Sequence, residues 1–412
     1  MAVSNSLPTP ATPSTTQNGS HKEFNAWTSP GPTAYDFRSD TMTTPTLSML
    51  EAIKNTTLFD DNFLEDPTTN DLEAHVAELT GHEAALLVMS GTMGNQVALR
   101  THCTSPPYSI VVDHRGHIIK YEAGGVALLS GALTIPVTPR NGHHLTLPDI
   151  QAATVLGDDI HACPTRIISL ENTLNGTVLP LDEFRAISDF ARANNIALHL
   201  DGARIWEVAS TGKHGSLRDY TSLCDSVSLC FSKGLGAPIG SVIVGSKAFI
   251  KRARHFRKML GGGTRQAGVI SAAARVAVDE QFGLGQNGEG GKLRATHERA
   301  RQIAETWEKK GGKLTSPTET NMVWLDLAAA GVSGEDFVAS GKNQGLKLFA
   351  GRVVVHFQIS EDAVRRLEIV MDEVLAWGKK TAGTRKLGHE RPENMYANGN
   401  GQSAKADDRD EM

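Results

Sequence analysis

The sequence predicts an α/β protein: a large domain built on a mostly parallel sheet, followed by a smaller C-terminal α+β domain. Three observations predict it. Short apolar runs recur between residues 85 and 244 without regular polar alternation, as in strands covered on both faces. Amphipathic helical patterns fall between those runs, which is the alternation of an α/β architecture. Beyond a Gly-rich break at 283–291 the order changes to a long helix, two strand candidates and a last helix.

In chain order, residues 1–33 are rich in Ser, Thr, Pro and Asn with few large apolar groups. Such a segment cannot offset its ordering entropy by burial, so a disordered tail is expected. Strands are expected at Ala85–Met89, Ser109–Val112, Arg166–Leu170, Ala197–Leu200, Ser226–Phe231 and Ser241–Val244. A helix over Asn70–Thr80 places Leu72, Val76 and Leu79 on one face, with Asn70 and Glu73 spaced as a capping box. A second, Leu181–Asn194, follows Pro180 and repeats Leu181, Phe184, Ile187 and Phe190 at near-helical spacing. These elements define a large domain over 34–290. The small domain, 291–380, takes a helix at Lys292–Lys310, strands at Met322–Leu327 and Arg352–Ile359, and a helix at Glu361–Trp377. Residues 381–412 are again polar and expected to form a disordered tail.

The 412 residues suit a large domain plus a smaller one. With 40% hydrophobic and 21% charged residues the composition is that of a soluble globular protein. A net charge of −5 gives no whole-chain reason to expect nucleic acid or an anionic membrane as partner. The basic run Lys251–Lys258 is expected to be a solvated helix face. Cys103, Cys163, Cys224 and Cys230 form no C-x-x-C pair, and the histidines form no H-E-x-x-H motif. Reduced thiols and no metal site are therefore expected. The N-terminus lacks the basic and apolar regions of a signal peptide, and no apolar stretch has membrane-span length, so a cytoplasmic location is expected.

Three segments carry chemistry. An apolar run ends in Phe231-Ser-Lys233-Gly. Desolvation at a buried strand end favours the neutral amine that Schiff-base chemistry needs. Another run ends in Asp201-Gly-Ala-Arg204, where an acid suits a protonated pyridine nitrogen and an arginine suits a ring hydroxyl or a carboxylate. The stretch Met89-Ser-Gly91-Thr92-Met-Gly94 turns from strand to helix, and free N–H groups at a helix start cradle phosphate. Each has a plain alternative: a surface lysine, a helix-capping aspartate, an ordinary turn. Their order, all at carboxyl ends of sheet strands, describes one pocket for pyridoxal-5′-phosphate (PLP).

At these residues the chain resembles the threonine aldolase family of PLP enzymes, of the aspartate-aminotransferase fold type, which includes related fungal alanine racemases. The resemblance rests on Asp36-Phe-Arg-Ser39-Asp-Thr41, Ser90-Gly-Thr-Met-Gly-Asn-Gln96, Ser169-Leu-Glu-Asn-Thr173, Asp201-Gly-Ala-Arg204, Phe231-Ser-Lys-Gly-Leu-Gly-Ala-Pro238 and Leu260-Gly-Gly-Gly-Thr-Arg-Gln266. It spans about Tyr35 to Trp377. It implies that Lys233 holds PLP as a Schiff base, Asp201 pairs with the pyridine nitrogen, and Gly91 and Thr92 bind the phosphate. His117 would stack on the ring. Arg204, Ser39 and Arg352 would hold the substrate carboxylate and ring hydroxyl, and His161 would approach the β-hydroxyl as base. Lys258 and Arg265 would complete a neighbouring subunit's phosphate site in a homodimer or homotetramer with shared sites.

The implied activity is cleavage of L-threonine or L-allo-threonine to glycine and an aldehyde. One stretch departs from the family. Where aldolases show a Val-Tyr-Gly-Glu-Asp type segment, this chain has Asp61-Asn-Phe63-Leu64-Glu-Asp66. A hydroxyl is lost and bulk is added, so alanine racemisation stands as the second expectation. A catalytically inactive binding module of the same fold is the third, against which Lys233, Asp201 and Arg204 all speak.

Overall fold

The computed structural model describes residues 29–283 and 290–381. The tails expected at 1–33 and 381–412 therefore lie almost entirely outside the described residues. The larger unit is a seven-stranded sheet of β1 (Ala84–Val88), β2 (Ser109–Asp113), β3 (Leu133–Val137), β4 (Thr165–Glu171), β5 (Ala197–Asp201), β6 (Ser226–Cys230) and β7 (Ser241–Gly245). The strand order is β1-β7-β6-β5-β4-β2-β3. Only β7 runs against its neighbours, β1 and β6; the remaining pairs are parallel. The carboxyl ends of the other six strands thus share one edge of the sheet, where open α/β folds bind ligands.

The apolar runs form strands because helices cover both faces: every residue of β2, β6 and β7 is buried. Strand β3 was missed by the sequence reading. It carries Pro136 and is partly exposed along its length, as an edge strand tolerates a residue that cannot donate to the ladder.

The helix expected over Asn70–Thr80 is corrected at its start. It runs Pro67–Thr80, and its cap is Asp66, whose Oδ2 accepts from Thr69 N at 3.1 Å. Glu73 is not a capping-box partner but is turned inward. Its Oε1 accepts from Leu87 N at 2.8 Å and its Oε2 pairs with Arg254 at 2.5 Å. The basic helix Lys247–Met259 is likewise not a uniformly solvated face. Arg257 is buried, donating to Asp61 Oδ2 at 2.6 Å and to Leu87 O at 2.9 Å, so one of its charges is a structural ion pair.

The smaller unit pairs β8 (Met322–Trp324) with β9 (Arg352–Val354), antiparallel, under helices Gly291–Lys309, Gly334–Asn343 and Glu361–Thr381. Both strands are three residues long, shorter than the apolar runs suggested. Its core holds Trp307, Phe337, Val353 and Leu367. Phe37, assigned by sequence to the large domain, packs into this same core. Its backbone is tied there: Phe37 N donates to Lys347 O at 2.9 Å, and Val354 N donates to Phe37 O at 2.8 Å. The Gly291–Lys309 helix is pinned to the large unit by the buried pair His297 Nε2 and Glu207 Oε2, 2.6 Å apart. Among the described residues no helix is long and apolar enough to cross a membrane.

Candidate active site

Glu171 and Asp201 end adjacent strands β4 and β5 and lie opposite each other in register. Two acids there are costly unless shared donors hold them. Asp201, buried, accepts from Ala203 N at 3.1 Å and from Asn95 Nδ2 at 2.7 Å. Glu171 accepts from His117 N at 2.8 Å. Burial first, and then the charge of Asp201, pushes the Glu171 carboxyl well above the usual carboxylate range.

His117 opens a short helix, His117–Lys120, and its Nδ1 lies 2.7 Å from Glu122 Oε1. Burial works against its charged form, but Glu122, Asp201 and Glu171 outweigh it and hold the imidazole above its ordinary pKa. The Asn95 amide bridges Glu122 Oε1, at 2.9 Å, to Asp201, and Gln96 Nε2 donates to Glu122 Oε2 at 2.5 Å. His117, Glu122 and Asp201 present ligand-type atoms within 4.8 Å of one another; the Asn95 amide and the His117 ring already join them by hydrogen bonds.

The Gly91–His102 helix points its start at the same edge. Ser90 Oγ accepts from Met93 N at 3.2 Å, leaving the N–H groups of Gly91 and Thr92 without an intrahelical acceptor. A Cβ on Gly91 would stand 2.7 Å from Cys230 Sγ, so only glycine lets this turn close onto the end of β6. Lys233 follows three residues beyond β6 and is half-buried. Among the described residues its amine has no hydrogen-bond or ion-pair partner, yet its charge is felt by Asp40 and by Glu171.

Arg204 Nε and Nη2 donate to Asp40 at 2.8 and 2.7 Å, a two-point clamp from a partly buried guanidinium to a fully buried carboxylate. Ser39 Oγ lies 3.4 Å from Asp40 Oδ1. Arg352 opens β9, donates to Arg38 O at 2.7 Å and sits over Phe349 at 5.3 Å. Burial alone would raise the Asp40 pKa, but Arg204, Lys233 and Arg352 bring it down to about 2. A carboxyl depressed in the fold stabilises it above its unfolded pKa and loses that effect as pH falls through the folded value. Asp40 is therefore expected to contribute about 2 kcal/mol near neutrality. The wild-type advantage over Asp40→Asn in urea unfolding is expected to shrink as pH drops from about 4 to about 2.

Two groups of expected residues stand elsewhere. His161 is corrected: it lies on the turn before β4, its side chain 85% exposed and 3.0 Å from Asp159. The seven-residue strand that follows closes on Glu171, roughly 20 Å from its start at the rise of a strand, so the chain does not bring His161 to its own pocket. Lys258 and Arg265 are exposed beside the 60–63 turn. Lys258 Nζ is 3.5 Å from Asn62 Oδ1, and Arg265 O accepts from Asp61 N at 2.9 Å. Sequence reasoning missed Asp40, Asn95, Glu122 and Glu171. Glu171 carried the same signal as Asp201, a charge closing an apolar run, while Asn95 and Glu122 carried none.

The donor set fits PLP: a free amine for its aldehyde, a buried carboxylate for its ring nitrogen and a glycine-opened helix start for its phosphate. A family model described as beta-eliminating lyase matches residues 36–330. The aldolase vrtJ of Penicillium aethiopicum is 56% identical over 88% of this chain and 91% of its own. The alanine racemase TOXG of Cochliobolus carbonum is 47% identical over 85% and 90%. A low specificity L-threonine aldolase of Saccharomyces cerevisiae is 44% identical over 84% and 88%. The solved Leishmania major threonine aldolase superposes with a TM-score of 0.71 at 19% identity, covering 83% of this chain and 99% of that one. With the pocket's donors and these relatives in agreement, the chain belongs to the beta-eliminating lyase family of PLP-dependent enzymes, among the threonine aldolases and their kin.

Proposed function

We propose that this chain is an aldolase that cleaves β-hydroxy amino acids, L-threonine or L-allo-threonine, to glycine and an aldehyde. The observation that carries the reading is the pairing of an unpartnered Lys233 amine with the buried Asp201 carboxylate at the ends of neighbouring strands, alongside a relative named as an aldolase at 56% identity. Bound PLP supplies the electron sink for charge left at the α-carbon. Asp201, held by Ala203 and Asn95, would be the residue that meets the ring nitrogen. Arg352 and Ser39 would hold and orient the substrate carboxylate. His117 would pack on the ring. With its Nδ1 committed to Glu122, its Nε2 is the imidazole nitrogen of this pocket suited to take the β-hydroxyl proton.

A second reading, alanine racemase, is favoured by Phe63 in place of tyrosine and by the 47% identity to a racemase. Incubation with L-threonine, L-allo-threonine and L-alanine separates the two. Glycine formation is expected; D-alanine without glycine would replace the aldolase reading by the racemase one. Activity at shared sites of a homo-oligomer is part of the proposal. Leu58, Phe59, Phe63 and Leu64 are each at least half exposed, and Asn62 in the same stretch contacts Lys258; exposed apolar residues of this kind suit a second copy of the chain.

A further inference from the structure

A line of buried polar side chains runs from Asp201 to the opposite end of the sheet. Asn95 and His102 lie seven residues apart on one helix, two turns, and so share a face. His199 and Asp201 lie two apart on β5 and share a face of the sheet. Ser226 of β6 stands opposite His199 in register. The contacts are continuous: His102 Nε2 to Ser226 Oγ 2.8 Å, Ser226 Oγ to His199 Nδ1 2.9 Å, His199 Nε2 to Asn95 Oδ1 3.2 Å, and Asn95 Nδ2 to Asp201 Oδ2 2.7 Å. Close approach of the helix to β6 makes this possible, since a Cβ on Gly94 would meet Ser228 Oγ at 2.4 Å.

The proton positions follow from one end. The Asn95 nitrogen faces two carboxylates, so its oxygen faces His199 and can only accept. His199 Nε2 therefore carries a proton. His199 is fully buried, and burial drives its pKa down to about 3, so the ring is neutral and its Nδ1 is bare. Ser226 must donate to that nitrogen, which spends its one proton. His102 Nε2 must then donate to Ser226. Every donor in the line points toward Asp201.

We propose that His102, Ser226 and His199 are positioning residues: a one-way hydrogen-bond line that fixes the Asn95 amide and, through it, the place and charge of the Asp201 carboxylate that meets the PLP ring nitrogen. His102, stacked on Phe249 at 4.6 Å, is its far end, at a cleft of about 700 Å³ away from the active site. The inference rests on PLP dependence and not on which reaction follows, so it survives either outcome of the substrate panel.

The test uses Ser226→Ala, His102→Leu and His102→Gln, the last keeping a donor where Nε2 stands. PLP affinity is read by titrating the cofactor-free protein, and the pH midpoint of the bound cofactor's visible band is read separately. Ser226→Ala and His102→Leu are expected to weaken PLP binding by about 3- to 10-fold, the range of one lost hydrogen bond, and to move the midpoint. His102→Gln is expected to restore both. ¹⁵N spectra of histidine-labelled, cofactor-free protein are expected to show His199 protonated at Nε2 alone. Should Ser226→Ala fail to fold, the two His102 variants decide. Wild-type affinity and midpoint in His102→Leu, or His102→Gln as impaired as His102→Leu, or His199 protonated at Nδ1, would overturn the proposal.

Discussion

Alanine at position 233 is expected to lower turnover of every amino-acid substrate by about 10³-fold or more, the scale on which enzymes lose a covalent nucleophile. The effect is expected to be chemical and not structural. Lys233 is half-buried and has no partner among the described residues, so its truncation strands no buried donor or acceptor. The melting temperature of the cofactor-free variant should stay close to that of the wild type. Lys233→Arg should rescue nothing, because a guanidinium remains protonated and cannot attack an aldehyde. Stopped-flow absorbance with added PLP, together with steady-state assays, checks both halves. A variant that turns over substrate at the wild-type rate would remove Lys233 from the mechanism and with it the whole assignment of the pocket.

The second large effect is expected at Asp201. Asparagine there keeps the shape but only one of the two acceptor oxygens that serve Ala203 N and Asn95 Nδ2, so the charge and one hydrogen bond are lost together. Turnover is expected to fall by roughly 10²- to 10⁴-fold, the scale of removing one preorganised charge from a developing transition state. Because the Asp201 charge is one of the two causes that lift the Glu171 carboxyl, the same substitution should lower the Glu171 pKa toward the ordinary range. Infrared difference spectra on ¹³C-glutamate protein can follow that carboxyl directly. Asp201→Glu supplies the contrast: charge kept, placement lost. An Asp201→Asn enzyme within about threefold of wild type would show that the ring nitrogen does not depend on a charged partner here.

The parallel sheet was legible because its strands are covered on both faces, so their apolar runs have no competing pattern. Lys233, Asp201 and Gly91 were legible for a related reason: each interrupts such a run where a ligand-binding edge must be. The second layer of the pocket was not. Asn95 reaches Asp201 from a helix 106 positions upstream and Glu122 from the turn that follows His117–Lys120, and no local spacing records a contact between Asn95 and either carboxylate. Arg204 was legible as a functional arginine but not as half of a clamp, because Asp40 comes from 164 positions upstream. His161 misled for the converse reason: its neighbourhood in sequence is that of the pocket strand, but it precedes the strand and the chemistry follows it. Arg257 looked like surface charge until the fold brought the Asp61 carboxylate beneath it.

Phe37 sits in the hydrophobic interior of the smaller unit, and Asp40, three positions later, grips Arg204 in the larger one. That short strap is a mechanical linkage. A shift of the smaller unit would be carried to the Asp40 carboxylate, whose charge is coupled to that of Lys233. Posture on one side and charge on the other would be geared through four consecutive residues.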